Sequence, residues 1–174
     1  MGVAEVFEMT VVNIPNTLTT VRGLLSLPLV YFILTDQTMY ALGVFVLAVA
    51  TEIDGTIARK FNQETHFGAV YDPLIDGVFT GLGILALLYL EKVSLLMISL
   101  LVLANIPRMI LMKLFYKRRK KFYSTRWTKF SGLLIFFIIP LALVNFMYLN
   151  WFIGGVILLT IVLMINVAWK YYKK

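Results

Sequence analysis

Apolar runs of about 20 residues recur from one end of the chain to the other, and they restrict the possible folds more than any other feature. Of the 174 residues, 60% are hydrophobic and only 14% are charged, whereas an ordinary soluble domain has about a quarter charged residues. Inside a membrane every backbone polar group must be satisfied within the protein, which favours helices for runs of this length. The sequence therefore predicts an all-α integral membrane protein.

Hydropathy predicts six transmembrane helices in a single domain, because no linker or low-complexity segment divides residues 1–174. The predicted spans cover residues 17–35, 38–58, 69–90, 94–115, 128–147 and 150–170. Residues 3–12, in which Glu5 and Glu8 alternate with apolar side chains, are predicted to form a short interfacial helix before the first span. This first segment has no basic residues, so we do not expect a cleaved signal peptide.

Basic residues concentrate in alternate connections and give the predicted orientation. The cluster Lys117–Lys121 lies between the fourth and fifth spans, Arg59 and Lys60 follow the second, and Lys92 is the exception on the opposite side. By the positive-inside rule both termini are cytoplasmic, and we expect the cell membrane as the location. The cluster is interpreted as a topology signal that contacts anionic lipids. Nucleic acid is not an expected partner, since no soluble binding module accompanies the cluster.

Carboxylates gather where the second and third spans approach each other at the cytoplasmic side. Thr51 and Asp54 are three residues apart, and Asp72 and Asp76 are four apart, so each pair shares one helix face. The short connection 60–68 makes the two helices antiparallel neighbours, which allows the faces to meet. Converging carboxylates repel each other unless a cation neutralises them. Oxygen ligands favour Mg²⁺, Mn²⁺ or Ca²⁺ over zinc.

The residues around these carboxylates resemble the signature of the CDP-alcohol phosphotransferase family. The family pattern is Asp-x-x-Asp-Gly-x-x-Ala-Arg, eight or nine residues, then Gly-x-x-x-Asp-x-x-x-Asp. The chain agrees with it, at the correct spacing, at Asp54, Gly55, Ala58, Arg59, Gly68, Asp72 and Asp76. The segment from Asn13 to Arg22 is similar to the start of bacterial phosphatidylglycerophosphate synthases, which belong to this family.

The resemblance implies a metal-dependent transferase. In the family the first three aspartates bind divalent metal, Mg²⁺ or Mn²⁺ and often a pair, and the fourth is the general base. Carried over to this chain, Asp54 and Asp72 bind metal with help from Asp76, and Asp76 is also the base. The implied reaction moves a phosphatidyl group from a CDP-linked lipid to an alcohol and releases CMP. The resemblance also implies a homodimer among membrane lipids.

Other matching positions are expected to contact the substrates. Gly55, Ala58 and Gly68 would leave room for cytidine and its diphosphate, and Arg59 would pair with phosphate or orient an aspartate. Asn16, in the segment similar to the synthases, is assigned to the substrate site by the same resemblance.

The first signature aspartate is replaced by Thr51. Glu52 is adjacent, but a helix turns by about 100° per residue, so its side chain is expected to point elsewhere. A neutral hydroxyl is a weaker metal ligand than a carboxylate. Three explanations stay open: an enzyme with reduced or one-metal activity, a relative that binds CDP-lipid without efficient turnover, and a substitution introduced deliberately.

Three cations in or near the spans are further candidates for the site. Arg22 is interpreted as facing the carboxylates or the diphosphate, with a position at the membrane interface as the alternative. Arg108, after Pro107, is a candidate for an acceptor phosphate. Lys129 is either a site residue or a topogenic anchor. Convergence of two or three of these cations would favour a phosphorylated acceptor such as glycerol 3-phosphate or inositol phosphate.

An ion carrier that uses the carboxylates as a cation pathway is a different class of function. Such a pathway predicts acidic groups spread through the depth of the membrane. Here Asp54, Asp72 and Asp76 gather near the cytoplasmic side, which favours the transferase.

Overall fold

All regular structure in the described part of the chain is helical. A computed structural model of the protein describes residues 13–60, 66–119 and 126–172. The helices within these ranges are α1 (Ile14–Leu34), α2 (Thr38–Lys60), α3 (His66–Tyr89), α4 (Leu95–Arg119), α5 (Arg126–Phe136), α6 (Ile138–Leu143) and α7 (Leu149–Tyr172). The predicted all-α class is therefore confirmed for these residues. The predicted interfacial helix at 3–12 lies outside them.

Three of the described helices are long and apolar enough to cross a membrane, namely Ile14–Leu34, Tyr71–Tyr89 and Leu149–Asn166. Shorter apolar helical segments cover Thr38–Thr51, Leu95–Pro107 and Phe130–Leu143. By length and composition these helices indicate a membrane protein.

The fifth predicted span, 128–147, is divided in the structure. Helix α5 ends at Phe136, and α6 runs only from Ile138 to Leu143. Pro140 has no amide hydrogen to donate to the carbonyl of Phe136, so the helical hydrogen-bond pattern is interrupted there. Asn145 then adopts a left-handed conformation with φ of 51°, which ends the segment. Hydropathy detects the apolar character of the span but does not predict this interruption.

Helix α1 has its polar residues inside and its apolar residues outside. Leu24 and Leu27 are 62% and 67% exposed. The buried polar side chains of the helix are Asn16, Thr19, Arg22 and Ser26. In water such a distribution would leave a large apolar surface unprotected, whereas lipid tails solvate it. The helix therefore directs a polar stripe, Asn16–Thr19–Arg22–Ser26, into the protein.

The chain forms two compact units, the first extending to Leu87 and the second starting at Leu88. In the first unit α1 packs along α2, and Leu29, Ala41 and Phe79 are fully buried. In the second unit α4, α5 and α6 each pack against α7. The single domain expected for residues 1–174 stays a prediction.

Candidate active site

The start of α1 sets the direction of its polar stripe. Asn13 has an extended backbone and caps the helix, since its Oδ1 accepts a hydrogen bond of 2.9 Å from the backbone amide of Asn16. Pro15 lies in the first turn, where its missing amide hydrogen is not needed. With the start fixed, Asn16, Thr19 and Arg22 follow at intervals of three and lie on one side of the helix.

Thr19 connects this stripe to Asp72 on α3. The Thr19 hydroxyl lies 2.9 Å from Asp72 Oδ1, to which it donates, and 3.0 Å from the carbonyl oxygen of Pro15. Because a carboxylate accepts hydrogen bonds from a hydroxyl and cannot donate in return, this contact holds one Asp72 oxygen towards α1. The Thr19 side chain is itself buried, so the contact is shielded from water.

Arg22 is the centre of the cluster. The residue is 2% exposed, and its Nη1 donates a hydrogen bond to Asp76 Oδ1 within an ion pair. The same Nη1 lies 3.6 Å from Asp72 Oδ1, and Nε donates to Thr51 Oγ1 at 3.3 Å. A buried guanidinium is strongly destabilising unless it is paired, which explains why it contacts both carboxylates. Arg22 thus joins α1 to the helix faces of α2 and α3 that the sequence predicts to meet.

Thr51 is oriented by its own helix. Its hydroxyl donates to the carbonyl oxygen of Ala48 at 2.7 Å, so an oxygen lone pair is available to accept from Arg22 Nε. Thr51 therefore acts here as a neutral hydrogen-bond acceptor for Arg22.

A glycine allows the close approach of α1 and α3. A Cβ atom added at Gly23 would lie 3.3 Å from Ile75 Cγ2, closer than an ordinary van der Waals contact. Ile75 is three residues after Asp72 and one before Asp76. The missing side chain of Gly23 therefore lets the α3 segment that carries both carboxylates come within reach of Thr19 and Arg22.

The structure brings together four of the residues expected from the sequence: Arg22, Thr51, Asp72 and Asp76. Asn16 is buried on the same side of α1, and Gly68 is half-buried in the first turn of α3. The remaining expected residues lie on described helix backbone, but nothing beyond the backbone is described for them: Asp54, Gly55, Ala58, Arg59, Arg108 and Lys129. The functional roles of all these residues, in both groups, stay predictions.

Sequence reasoning missed Thr19, Thr20 and Tyr71. The Thr20 hydroxyl and the Tyr71 phenol oxygen are 3.1 Å apart, and the Tyr71 ring stacks on Phe67 with ring centres separated by 5.1 Å. Thr19 could have been found from spacing, because polar residues recur every three or four positions along an otherwise apolar helix. The Thr20–Tyr71 pair has no such signal.

The donor atoms of the cluster suit a hard divalent cation. Asp72, Asp76 and Thr51 offer only oxygen, which matches Mg²⁺ or Mn²⁺ and disfavours zinc. The side chain of Asp76 is 41% exposed, so a ligand can reach it. Among the side chains that the structure describes, no group of three or more His, Cys, Asp or Glu residues converges. The third carboxylate expected from the sequence, Asp54, is outside that set.

The helices and the paired carboxylates define a membrane protein with a buried, charged polar cluster. The profile of the CDP-alcohol phosphatidyltransferase family matches residues 12–168, and the chain belongs to this family.

The proteins similar to this chain include three whose names describe different activities. The CDP-diacylglycerol–glycerol-3-phosphate 3-phosphatidyltransferase of Aquifex aeolicus is 40% identical over 81 residues, 46% of either chain. The cardiolipin synthase (CMP-forming) of Rattus norvegicus is 33% identical over 116 residues, 66% of this chain and 38% of the relative. The probable CDP-diacylglycerol–inositol 3-phosphatidyltransferase 2 of Arabidopsis thaliana is 36% identical over 90 residues, 52% and 40% respectively. This chain spans less than half the length of these relatives. No solved structure matches it.

Proposed function

We propose that this protein transfers a phosphatidyl group from CDP-diacylglycerol to glycerol 3-phosphate and releases CMP. The observation that carries the proposal is the meeting of Asp72 and Asp76 with Arg22 and Thr51, since it joins the two helix faces on which the family signature lies. Among the similar proteins, two names share CDP-diacylglycerol as the donor and differ in the acceptor. The higher identity of the glycerol-3-phosphate transferase supports that acceptor.

Asp76 takes the general-base role in this proposal. The acceptor hydroxyl oxygen attacks the phosphorus of the phosphatidyl group, the bond from that phosphorus to the CMP oxygen breaks, and Asp76 takes the hydroxyl proton. Its partial exposure leaves room for a small polar alcohol beside the carboxylate. A bound Mg²⁺ or Mn²⁺, held by Asp54 and Asp72 with help from Asp76 and Thr51, would supply charge neutralisation at the diphosphate.

Arg22 and Thr19 keep the carboxylates in position. Thr19 holds one oxygen of Asp72, and Arg22 holds one oxygen of Asp76. Because both contacts come from buried groups of α1, the carboxylates are oriented before substrate arrives, which lowers the cost of reaching the reactive geometry. These two residues are positioning residues for the reaction.

The other expected residues complete the proposed site. Gly55, Ala58 and Gly68 make room for the cytidine diphosphate, and Arg59 either pairs with phosphate or orients an aspartate. Asn16 and Lys129 are further substrate-binding candidates from the sequence, and Arg108 is the candidate for an acceptor phosphate. We further propose six membrane spans, supported by hydropathy, and a homodimer, supported by the family resemblance. The distribution of lysine and arginine supports cytoplasmic termini and a site open to the cytoplasm.

Thr51 supports a second candidate function. Its hydroxyl accepts a hydrogen bond from Arg22 where the family signature has a carboxylate. A protein in which this substitution prevents turnover would still bind CDP-lipid. This candidate predicts binding of CDP-diacylglycerol without CMP release.

One experiment separates the two candidates. Purified protein is given labelled CDP-diacylglycerol and a panel of acceptors (glycerol 3-phosphate, inositol, inositol phosphate and serine), with Mg²⁺, with Mn²⁺ or with chelator. We expect CMP and a phosphatidyl product with glycerol 3-phosphate, and neither product with chelator. Binding of CDP-diacylglycerol without CMP release in the presence of any acceptor would support the second candidate. A phosphatidyl product with inositol alone would show that inositol, and not glycerol 3-phosphate, is the acceptor.

A further inference from the structure

We propose that the second unit binds the headgroup of a phospholipid with a primary amine, such as phosphatidylethanolamine, in a polar pocket beside the N-terminal ends of α4 and α7. These two helices pack against each other, and the pocket has a volume of about 470 Å³. Pockets that hold small molecules measure about 300 to 1,000 Å³. The polar pocket is lined by residues of the α3–α4 connection, the α6–α7 connection and the first turn of α7, among them Glu91, Lys92, Ser94, Asn145, Phe146 and Asn150.

The two charged residues of the polar pocket are adjacent in the chain and opposite in sign. Glu91 is exposed and Lys92 is half-buried. A zwitterionic headgroup has the same two features, a phosphate and an amine joined by a short chain. The Lys92 ammonium and the Ser94 hydroxyl can donate to the phosphate, and the Glu91 carboxylate can accept from the amine. An anionic headgroup without an amine would leave Glu91 without a cationic partner.

Asn145 and Asn150 add two amide groups to the polar pocket. An amide oxygen accepts hydrogen bonds, so both residues can bind an amine together with Glu91. A primary ammonium has three N–H donors, as lysine has, whereas the trimethylated ammonium of choline has none. Hydrogen bonding in the polar pocket therefore favours an ethanolamine headgroup over a choline headgroup.

Two exposed aromatic residues lie next to the polar pocket in the chain. They are Tyr148, between Asn145 and Asn150, and Trp151. Tyrosine and tryptophan concentrate at the boundary between membrane and water, at the level of the headgroups. The polar pocket is also built from connections between apolar helices, which end at that boundary. We therefore assign it to the headgroup of a membrane lipid and not to a soluble compound.

The positions of Lys92 and Glu91 are otherwise unexplained. Lys92 is the exception that the sequence predicts on the side opposite the basic connections, where lysine and arginine are less frequent. Glu91 has a left-handed backbone with φ of 55°, which glycine adopts more easily. A headgroup that uses both side chains explains why charged residues occupy both positions. Neither residue belongs to the proposed active site, so the inference is independent of the proposed function.

The test measures which lipid lies beside Trp151, which is 81% exposed. The full chain carries Trp127→Phe and Trp169→Phe, so that Trp151 is the one remaining tryptophan of this reporter chain. It is reconstituted in phosphatidylcholine vesicles and titrated with a brominated-chain phospholipid that has an ethanolamine, a choline or a glycerol headgroup. Bromine quenches tryptophan fluorescence at short range, and lipids that pass by at random quench equally. Differences between headgroups therefore measure selective binding.

We expect the ethanolamine lipid to bind about tenfold more tightly than the choline lipid, which is the effect of one charge-assisted hydrogen bond. Glu91→Gln keeps the shape of the side chain and removes its charge, so this preference should fall about fivefold. Lys92→Gln removes a partner of the phosphate that both lipids share. It should weaken the binding of both lipids and leave their ratio unchanged.

Asp36→Asn is the matched control. Asp36 is also an acidic residue with a left-handed backbone in a connection, with φ of 54°, but it does not line the polar pocket. This variant should keep the full preference for the ethanolamine lipid. A loss of preference as large as that of Glu91→Gln would contradict the inference, because a general effect of surface charge would then explain both results.

Equal binding of the ethanolamine and choline lipids by the reporter chain would overturn the inference, and this result needs no substitution in the polar pocket. Tighter binding of the glycerol lipid would also overturn it, since attraction to Lys92 alone would then account for binding. Displacement of the ethanolamine lipid by soluble phosphoethanolamine would show that the free compound is the ligand. If the reporter chain fails to fold, native mass spectrometry of the wild-type chain with equal amounts of the unlabelled lipids decides in the same way.

Discussion

Thr19 and Arg22 in the first unit and Thr160 in the second are all buried, but their hydrogen-bond partners lie in different places. In the first unit Thr19 and Arg22 bond to residues on other helices, with Thr19 reaching Asp72 and Arg22 reaching Thr51 and Asp76. In the second unit Thr160 is fully buried and donates 2.9 Å to the carbonyl oxygen of Val156 in its own helix. Bonds within a helix satisfy a hydroxyl locally, whereas bonds between helices fix their relative position. A buried polar residue whose partner lies on another helix is therefore a stronger indication of a site than one that bonds within its own helix.

The largest expected effect is on turnover. Asp76→Asn should lower CMP release about 1000-fold, because loss of a general base typically costs between 100- and 10,000-fold. The amide can still accept a hydrogen bond from Arg22, and Asp72 still pairs with the guanidinium, so Asp76→Asn should destabilise the protein less than Arg22→Leu does. Asp36→Asn, in the connection between α1 and α2, is the matched control and should release CMP at the wild-type rate. Full turnover in Asp76→Asn would remove Asp76 from the base role.

Replacement of Arg22 should have the largest effect on stability. Arg22→Leu leaves Asp72 and Asp76 without the buried cation, and removal of one partner from a buried ion pair costs about 3 kcal/mol or more. The lower end of that range applies here, because the side chain of Asp76 is 41% exposed. Unfolding in mixed micelles with increasing denaturing detergent measures the loss. Wild-type stability in Arg22→Leu would contradict the structural role of the cluster.

Thr19→Val should have a smaller effect. The variant keeps the shape of the side chain and removes the hydrogen bond to Asp72, so we expect a loss of about 1 kcal/mol in the free energy of unfolding. CMP release should fall about tenfold, because an Asp72 carboxylate with more rotational freedom orients the substrates less well. Thr19→Ser retains the hydroxyl and is the control. Equal rates in the valine and serine variants would argue against a positioning role for the hydroxyl.

Thr160→Val should have the smallest effect on stability and on CMP release. The Thr160 hydroxyl donates to the carbonyl oxygen of Val156 in its own helix. Valine has a similar shape, and the Val156 carbonyl keeps its backbone hydrogen bond when the hydroxyl is removed. We expect a change in unfolding free energy within about 0.5 kcal/mol and an unchanged rate of CMP release. An effect as large as that of Arg22→Leu would show that the second unit also depends on its buried polar groups.

The helices were more predictable from the sequence than the contacts of the site. Hydropathy predicted the first span at 17–35, and the helix begins at Ile14 because the Asn13 side chain caps it. Hydropathy also treated 128–147 as one helix, although Pro140 interrupts the hydrogen bonds there. In both cases the boundary depends on individual hydrogen bonds, which an average over a window of residues does not contain.

In the candidate site, periodicity predicted that the faces carrying Thr51 and Asp72 would meet, and Arg22 joins them. The sequence also offered Arg22 as a partner of the carboxylates, with the membrane interface as the alternative. It could not supply the bond from Nε to Thr51 or the bond from Thr19 to Asp72. Those contacts depend on side-chain rotamers and on the close approach of α1 and α3 at Gly23, which hydrophobic spacing does not encode.

The buried Arg22 also affects how the protein is assembled. Arg22 lies in the first half of α1, and Asp76 follows it 54 residues later in the chain. During synthesis α1 is therefore complete before α3 exists, and the unpaired arginine opposes insertion of α1 into the bilayer by up to about 2.5 kcal/mol. The helix is still apolar enough to cross a membrane, and the arrival of α3 removes the cost, so that pairing with Asp72 and Asp76 favours association of the two helices within the lipid.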